Sequence, residues 1–220
     1  MHVDRLADAV LRGADALHEH RRFLVGISGI PGAGKSTIAQ LVTERINERS
    51  GAEVCICVGM DGWHFSRKQL DAMDDPAHAH ARRGAAFTFD ADAFVVWVEQ
   101  LHQPASGADL PTLPAPTFSH AEKDPVADGV VIRPHHKIVI VEGLYCNLDV
   151  EPWRRATMCW DLRWFVEVSE AEARARLTRR HVEAGLAADA EAAQHRADTN
   201  DLPNGAWIIA HTLEPIERLR

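Results

Sequence analysis

Gly29-Ile30-Pro31-Gly32-Ala33-Gly34-Lys35-Ser36-Thr37 fits the pattern G-x-x-x-x-G-K-[ST] at every fixed position. It follows a short apolar run, Phe23-Leu24-Val25-Gly26-Ile27, and leads into Ser36 to Glu48, which reads as a helix. Strand, glycine-rich loop and helix in that order form the context a phosphate cradle requires. Glycines let the backbone curl until several N–H groups face one phosphate, and the helix N-terminus adds the positive end of its dipole. Lys35 supplies a point charge for the outer phosphates, and Ser36 a hydroxyl for Mg²⁺. Gly29, Ile30, Pro31, Gly32, Ala33, Gly34, Lys35, Ser36 and Thr37 are therefore the expected nucleotide site, with ATP and Mg²⁺ as cofactors.

Working outward, Glu53 to Met60 predicts a strand ending at Asp61, and Ile138-Val139-Ile140-Val141 another ending at Glu142-Gly143. Trp164 to Val168 predicts a further strand. Ser169 and Glu172 have the spacing of a capping box, opening a helix to Ala184 with Gly185 as its stop. Residues 3–20 and Asp90 to Gln103 carry helical periods, with Asp90 as an N-cap. Between Pro104 and Pro134 prolines are frequent and periodicity is poor, which reads as a long functional connection. Strands alternating with helices predict an α/β P-loop NTPase fold. Its doubly wound parallel sheet has about five strands flanked by helices. Residues 1–220 read as a single domain, with an arginine-bearing lid segment at roughly 176–200.

A charged fraction of 25% and a net charge of −8 argue against a nucleic-acid-gripping role, which wants a basic face. No apolar run is long enough to span a bilayer, and Met1 to Arg22 lacks a signal-peptide core. Cys55, Cys57, Cys146 and Cys159 form no C-x-x-C pair and read as core thiols, which makes the cytoplasm the default compartment. His78 with His80 and His135 with His136 lie in loop-like stretches without further ligands at zinc spacing, and read as solvated surface histidines. The expected partner is a small-molecule acceptor. Oligomeric state stays open, a homodimer included.

A phosphate cradle alone says nucleotide and no more. The sequence has neither an N-K-x-D base-reading motif nor an L-S-G-G-Q-like signature, which disfavours GTPases and ABC-type ATPases. In doubly wound sheets ligands gather beyond the carboxyl ends of the strands, where Asp61 and Glu142 fall. Transfer to an alcohol needs an acid to hold Mg²⁺ and a carboxylate to take the hydroxyl proton, so Glu142 is the metal-side candidate and Asp61 the catalytic one. Arg176, Arg179 and Arg180 share a helix face that suits a migrating phosphoryl group, or else forms a solvated face paired with Glu172 and Glu183. A nucleotide-binding regulator or bare NTPase without an acceptor is the competing class.

With these residues in hand, the chain resembles the phosphoribulokinase/uridine kinase superfamily, in its pantothenate-kinase-like and fructokinase-like branch. The resemblance rests on the cradle, Met60-Asp61-Gly62-Trp63-His64, Arg82-Arg83-Gly84 leading to Thr88-Phe89-Asp90, and Pro116-Thr117-Phe118-Ser119-His120 with Asp124. Val141-Glu142-Gly143, Arg176-Leu177 with Arg179-Arg180-His181, and Asn200-Asp201-Leu202-Pro203-Asn204 complete it. It implies that Asp61 is the general base and that His64, Arg83, Asp90 and His120 line the acceptor pocket. It further implies that Arg176 and Arg179 act from a closing lid and that Asn204 lies near the adenine. Phe118, where related kinases often carry tyrosine, and Lys123, where pantothenate kinases commonly have an aromatic residue, weigh against uridine and pantothenate. They favour a sugar such as fructose or another polyol.

Overall fold

Every residue of Phe23–Gly29 is buried, so this strand needs a partner on each edge and cover on both faces. The computed structural model, which describes residues 3–17, 20–107, 109–119 and 121–220, supplies both. In chain order the elements are α1 (Val3–Asp15), β1 (Phe23–Gly29), α2 (Lys35–Ser50), β2 (Cys55–Gly59), α3 (Arg67–Asp71), α4 (Pro76–Ala81), α5 (Ala91–His102), β3 (Leu113–Ser119) and β4 (Asp124–Ile132). They continue with β5 (Ile138–Glu142), α6 (Trp153–Thr157), β6 (Leu162–Val166), α7 (Glu170–Glu183), α8 (Ala190–Arg196), α9 (Leu202–Ala210) and β7 (Glu217–Leu219). The sheet runs β2-β5-β1-β6-β7, all parallel, with helices against it. It is the doubly wound α/β sheet the sequence predicts. No helix among the described residues is long and apolar enough to cross a membrane.

Polar contacts fix the start of β1. Arg21 pairs with Asp161 at 2.7 Å, and Asp161 also accepts from Leu24 N at 2.8 Å, which ties β1 to the residues leading into β6. Arg22 is fully buried with no carboxylate partner among the described residues; its guanidinium donates to the carbonyls of His136 (3.1 Å), Pro111 (2.6 Å) and Arg133 (3.3 Å). Three carbonyl dipoles hold a desolvated cation and clamp the approach to β5 beside β1.

Several expectations hold locally and several shift. Asp90 caps α5, accepting from Ala93 N at 3.0 Å. Ser169 caps α7 through Glu172 N at 3.2 Å, but the Glu172 carboxylate turns to Arg176, so only half of the capping box forms. The strand expected at Trp164 to Val168 starts and ends two residues earlier. All four cysteines are free, and burial pushes the thiols of Cys55 and Cys57 up to about 12.

Two expectations are corrected. His136 is fully buried, not solvated. It lies with His135 and Glu53 close enough for three ligand atoms to meet. Yet Arg133 N donates to His136 Nδ1 at 3.0 Å, so the neutral ring carries its proton on Nε2, where it faces Glu53 at 3.7 Å as a donor and not as a metal ligand. The second correction concerns the long connection, which contains an antiparallel hairpin, β3–β4, with an irregular register between Ala115 and Thr117. Pro114, Pro116 and Pro125 mask the alternation, and a detached two-stranded ribbon tolerates them because its outer edges need no donor.

The hairpin packs on the turn that carries Asp61. A Cβ on Gly62 would stand 2.2 Å from the carbonyl oxygen of Pro116, a backbone atom that cannot swing away. Gly62→Ala must therefore push hairpin and turn apart. Overpacking of this kind costs about 1–3 kcal/mol, so thermal denaturation is expected to show a Tm lower by about 3–10 °C. An unchanged Tm would mean the contact is loose.

Candidate functional site

Beyond Gly29 the chain curls through Ile30–Gly34, with Gly32 and Gly34 at φ of 79° and 90°, where side chains are strained. Lys35 opens α2 and folds back under this loop, 9% exposed, its Nζ donating to the carbonyls of Gly29 and Ile30 at 3.1 Å each. Burial draws its pKa down, and the carboxylates of Glu142 and then Asp61 oppose that shift. Ser36 Oγ donates to Glu142 Oε1 at 2.9 Å. Glu142, the last residue of β5, is level with Ile27 of β1 and Gly59 of β2. Burial raises its pKa, the Lys35 ammonium lowers it, and Asp61 raises it again. Asp61 lies on the 3₁₀ turn Met60–Trp63 directly after β2, with its side chain 54% exposed. The structure thus brings Lys35, Ser36, Glu142 and Asp61 to one end of the sheet.

Helix α7 leans on the loop. Arg176 donates to Gly32 O at 3.2 Å while paired with Glu172. Arg179, 76% exposed, lies 3.8 Å from Glu183. The solvated-face pairing with both acids is therefore present alongside the approach to the cradle. A cavity of about 750 Å³ is bounded by Gly32–Ile38 and by Arg176, Arg179 and Arg180. A second, of about 570 Å³, is lined by Ile30, Phe165, Val168, Ser169, Ile209, Arg218 and Arg220; both include Glu167, Val168, Glu172 and Arg220 in their walls.

On the other side of Asp61, His64 donates from Nδ1 to Asp61 O at 3.0 Å, its ring 3.9 Å from that of Phe89 and 5.1 Å from that of Phe118. Asp90 joins the same turn, its N–H donating to Trp63 O at 2.8 Å. Arg83 is a strut: Nη1 donates to Lys123 O (2.6 Å), Nη2 to Phe65 O (2.9 Å) and Asp124 Oδ1 (3.0 Å), and its guanidinium lies 5.3 Å from the Phe118 ring centre. His120 lies outside the described residues.

Asn204 does not line either cavity. Its Oδ1 accepts from Arg82 Nη2 at 2.9 Å, and its Nδ2 lies 3.4 Å from Asn200 Oδ1, which accepts from Arg82 Nε at 2.9 Å. Asn200 in turn donates to Arg83 O at 3.1 Å, so the Asn200–Asn204 motif anchors the Arg82–Gly84 segment. Sequence reasoning assigned no role to Arg82, nor to Tyr145, which donates to Gly84 O at 2.6 Å. It also missed Asn147, whose Nδ2 lies within reach of Gly26 O (3.0 Å), Ser28 Oγ (2.9 Å) and Trp164 O (3.1 Å) beneath the cradle. These are long-range contacts without a local spacing to announce them.

Comparison with known proteins places the chain among P-loop kinases. The AAA domain family matches residues 25–196. A Schizosaccharomyces pombe protein named a putative uridine kinase is 38% identical over 204 residues, covering 93% of this chain and 85% of that protein. An ATP-dependent kinase-like protein of Aspergillus versicolor is 46% identical over 160 residues, 73% of this chain and 92% of its own. Among solved structures, one named a putative fructose transport system kinase from Silicibacter sp. TM1040 superposes over the whole of both chains with a TM-score of 0.86 at 30% identity. YFH7 of Saccharomyces cerevisiae shares the fold with a TM-score of 0.90 at 24% identity, over 100% of this chain and 99% of that one.

The Arg82 network yields a stability test. Arg82→Ala leaves the Asn200 and Asn204 amide oxygens buried with fewer donors, a loss of about 1–3 kcal/mol. Asn204→Ala should lower stability too, and the double variant should fall short of the sum of the singles, as groups in one network do. Additive losses in denaturant titrations would show that the two do not act together.

Proposed function

The chain belongs to the AAA domain family as a P-loop kinase related to uridine kinase-like proteins, and from that premise we propose that it transfers the γ-phosphoryl group of ATP to a hydroxyl of a small-molecule metabolite. The observation that carries this reading is the exposed Asp61 carboxylate beside a buried Lys35 and a Ser36–Glu142 pair at 2.9 Å. A protein that only binds the nucleotide needs no carboxylate there to take a proton from a nucleophile.

In this reading the backbone N–H groups of the loop receive the phosphates, and Lys35 exchanges the carbonyls of Gly29 and Ile30 for phosphate oxygens. Ser36 and Glu142 offer the hard oxygen donors that suit Mg²⁺ and would hold it. Bound there, the ion would offset charge on the phosphates. The cavity whose wall joins Ile30, Phe165, Val168 and Ile209 to the polar Glu167, Ser169, Glu172, Arg218 and Arg220 is the space offered to the base. Arg176 and Arg179 travel with a lid, residues 176–200, and Arg176 leaves Gly32 O to meet the transferring group. Asp61 takes the proton of the attacking hydroxyl.

Screening the purified protein with Mg·ATP against sugars, nucleosides and pantothenate by ADP release identifies the acceptor. With that acceptor, Asp61→Asn should lower kcat by about 10²–10⁴-fold while ATP affinity changes little. Lys35→Ala should abolish turnover with the fold intact. Full activity in Asp61→Asn, or loss of its ATP binding, would remove the base from this carboxylate and leave the acceptor-free NTPase as the better reading.

A further inference from the structure

Helix α7 carries two opposite faces. Arg176 and Arg180 line the cradle cavity, while Arg174 and His181, on the other face, reach the segment Ala197–Asp201. That segment is a single wide π turn between α8 and α9, a form rare in helices and concentrated at functional sites. Arg174 Nε lies 2.7 Å from Asp198 Oδ1, and His181 Nε2 lies 2.8 Å from Asp201 Oδ2. A carboxylate oxygen accepts, so Nε2 carries the proton. The His181 ring is buried, and its Nδ1 has no partner among the described residues. The hydrogen bond that fixes this ring is thus the bond to Asp201.

Both ends of that bond lead to the site. On one side α7 packs on the cradle without slack: a Cβ on Gly32 would stand 3.0 Å from Ala173 O and 3.2 Å from Leu177 Cγ, and Arg176 donates to Gly32 O. A loop that shifts to receive phosphates must move this helix with it, since close-packed elements transmit displacement. On the other side Asn200, next to Asp201 in the π turn, accepts from Arg82 Nε and donates to Arg83 O. Arg83 in turn donates to Phe65 O, just past the turn that carries Asp61. Helix α9 touches the loop by a second route that bypasses α7, where a Cβ on Gly205 would stand 3.1 Å from Ile30 Cβ.

Resting on the reading of the cradle as the ATP site and of Asp61 as the base, we infer that His181 and Asp201 are positioning residues for the transfer. Their hydrogen bond passes the displacement of α7 on nucleotide binding through the π turn to Arg82–Gly84. Nucleotide occupancy thereby orders the far side of Asp61 before an acceptor arrives. Neither residue touches a reacting atom, and the bond between them neither forms nor breaks a covalent link. The two-state element is α7 itself, with Arg176 on Gly32 O in one state and on phosphate in the other. Coupling of this kind is reciprocal, so an ordered acceptor side tightens the cradle on its nucleotide by the same factor.

Amide hydrogen exchange of the whole protein, with and without the non-hydrolysable analogue Mg·AMP-PNP, tests this before the acceptor is known. In the wild type the bound analogue should slow exchange across residues 82–89, none of which lines the cradle cavity, by about fivefold or more. His181→Leu keeps an apolar volume in place and removes the donor. It should bind the analogue within about threefold of wild type yet show less than about twofold slowing at 82–89. His181→Gln carries an N–H at the ε position and should restore the slowing. Asp201→Ala should match His181→Leu, and the double variant should lose no more. Full slowing in His181→Leu assigns the effect to the Gly205 contact and overturns the role of the pair, as does failure of His181→Gln to restore it. Should His181→Leu not fold, Asp201→Ala compared with Asp201→Asn, whose amide oxygen still accepts, decides on the same readout. Binding that Lys35→Ala leaves intact overturns the nucleotide-site reading and the coupling with it. Lys35-dependent binding without slowing in the wild type overturns the coupling alone.

Discussion

A lysine ammonium packed beneath its own strand's loop is a charge held out of water, and that demand organises the end of the sheet. Two carbonyls, Gly29 O and Ile30 O, give Lys35 direct partners, and the potential of Glu142 and Asp61 opposes the desolvation that draws its pKa down. The two carboxylates reach it through the sheet's strand order. β5 is laid down late in the chain but inserts between β2 and β1, which sets Glu142 beside the loop and leaves Asp61 one strand further out. Had β5 paired at an edge, Glu142 would lie away from Ser36 and Lys35 would lose its nearest counter-charge.

The same arrangement divides the site in two. On the nucleotide side, recognition falls largely to backbone N–H groups and a helix terminus, which depend on glycine conformations and little on side-chain identity. Beyond Asp61, side chains from separate segments build the wall: His64 on the 3₁₀ turn, Arg83 after α4, Asp90 at the cap of α5, and Phe118 and Asp124 on the hairpin. The hairpin is no part of the main sheet. It is held to the turn by the close approach of Gly62 to Pro116 and by the Arg83–Asp124 pair. Small changes in that ribbon would reshape this side of Asp61 and leave the cradle untouched.

This division explains what the sequence could show. The cradle is nine consecutive residues with a fixed spacing, and the strand-end acids follow uninterrupted apolar runs, so both were legible from local pattern. The hairpin was not, because its prolines break the period-two signal that marks a strand. His136 shows a different limit: a pair of histidines in a loop looks solvated until Arg22, reaching in from just before β1, closes over its carbonyl. Asn204 shows a third. A motif can mark a family faithfully while its side chain faces Arg82 and not the ligand, since sequence order carries no side-chain direction.

Arg83 makes the last step plain. Counted by sequence, Arg82, Arg83 and Lys123 would suggest an anion site. Counted by donors, much of the Arg83 fork is already committed within the fold. A guanidinium offers its N–H groups in a fixed plane, and here both Nη groups are bound to Lys123 O, Phe65 O and Asp124 while the buried Nε has no partner among the described residues. Asp124 cancels its charge at 3.0 Å and shares itself with Arg67. The formal charges along this side of Asp61 are thus engaged within the fold, Arg83 and Arg67 by the one Asp124 carboxylate.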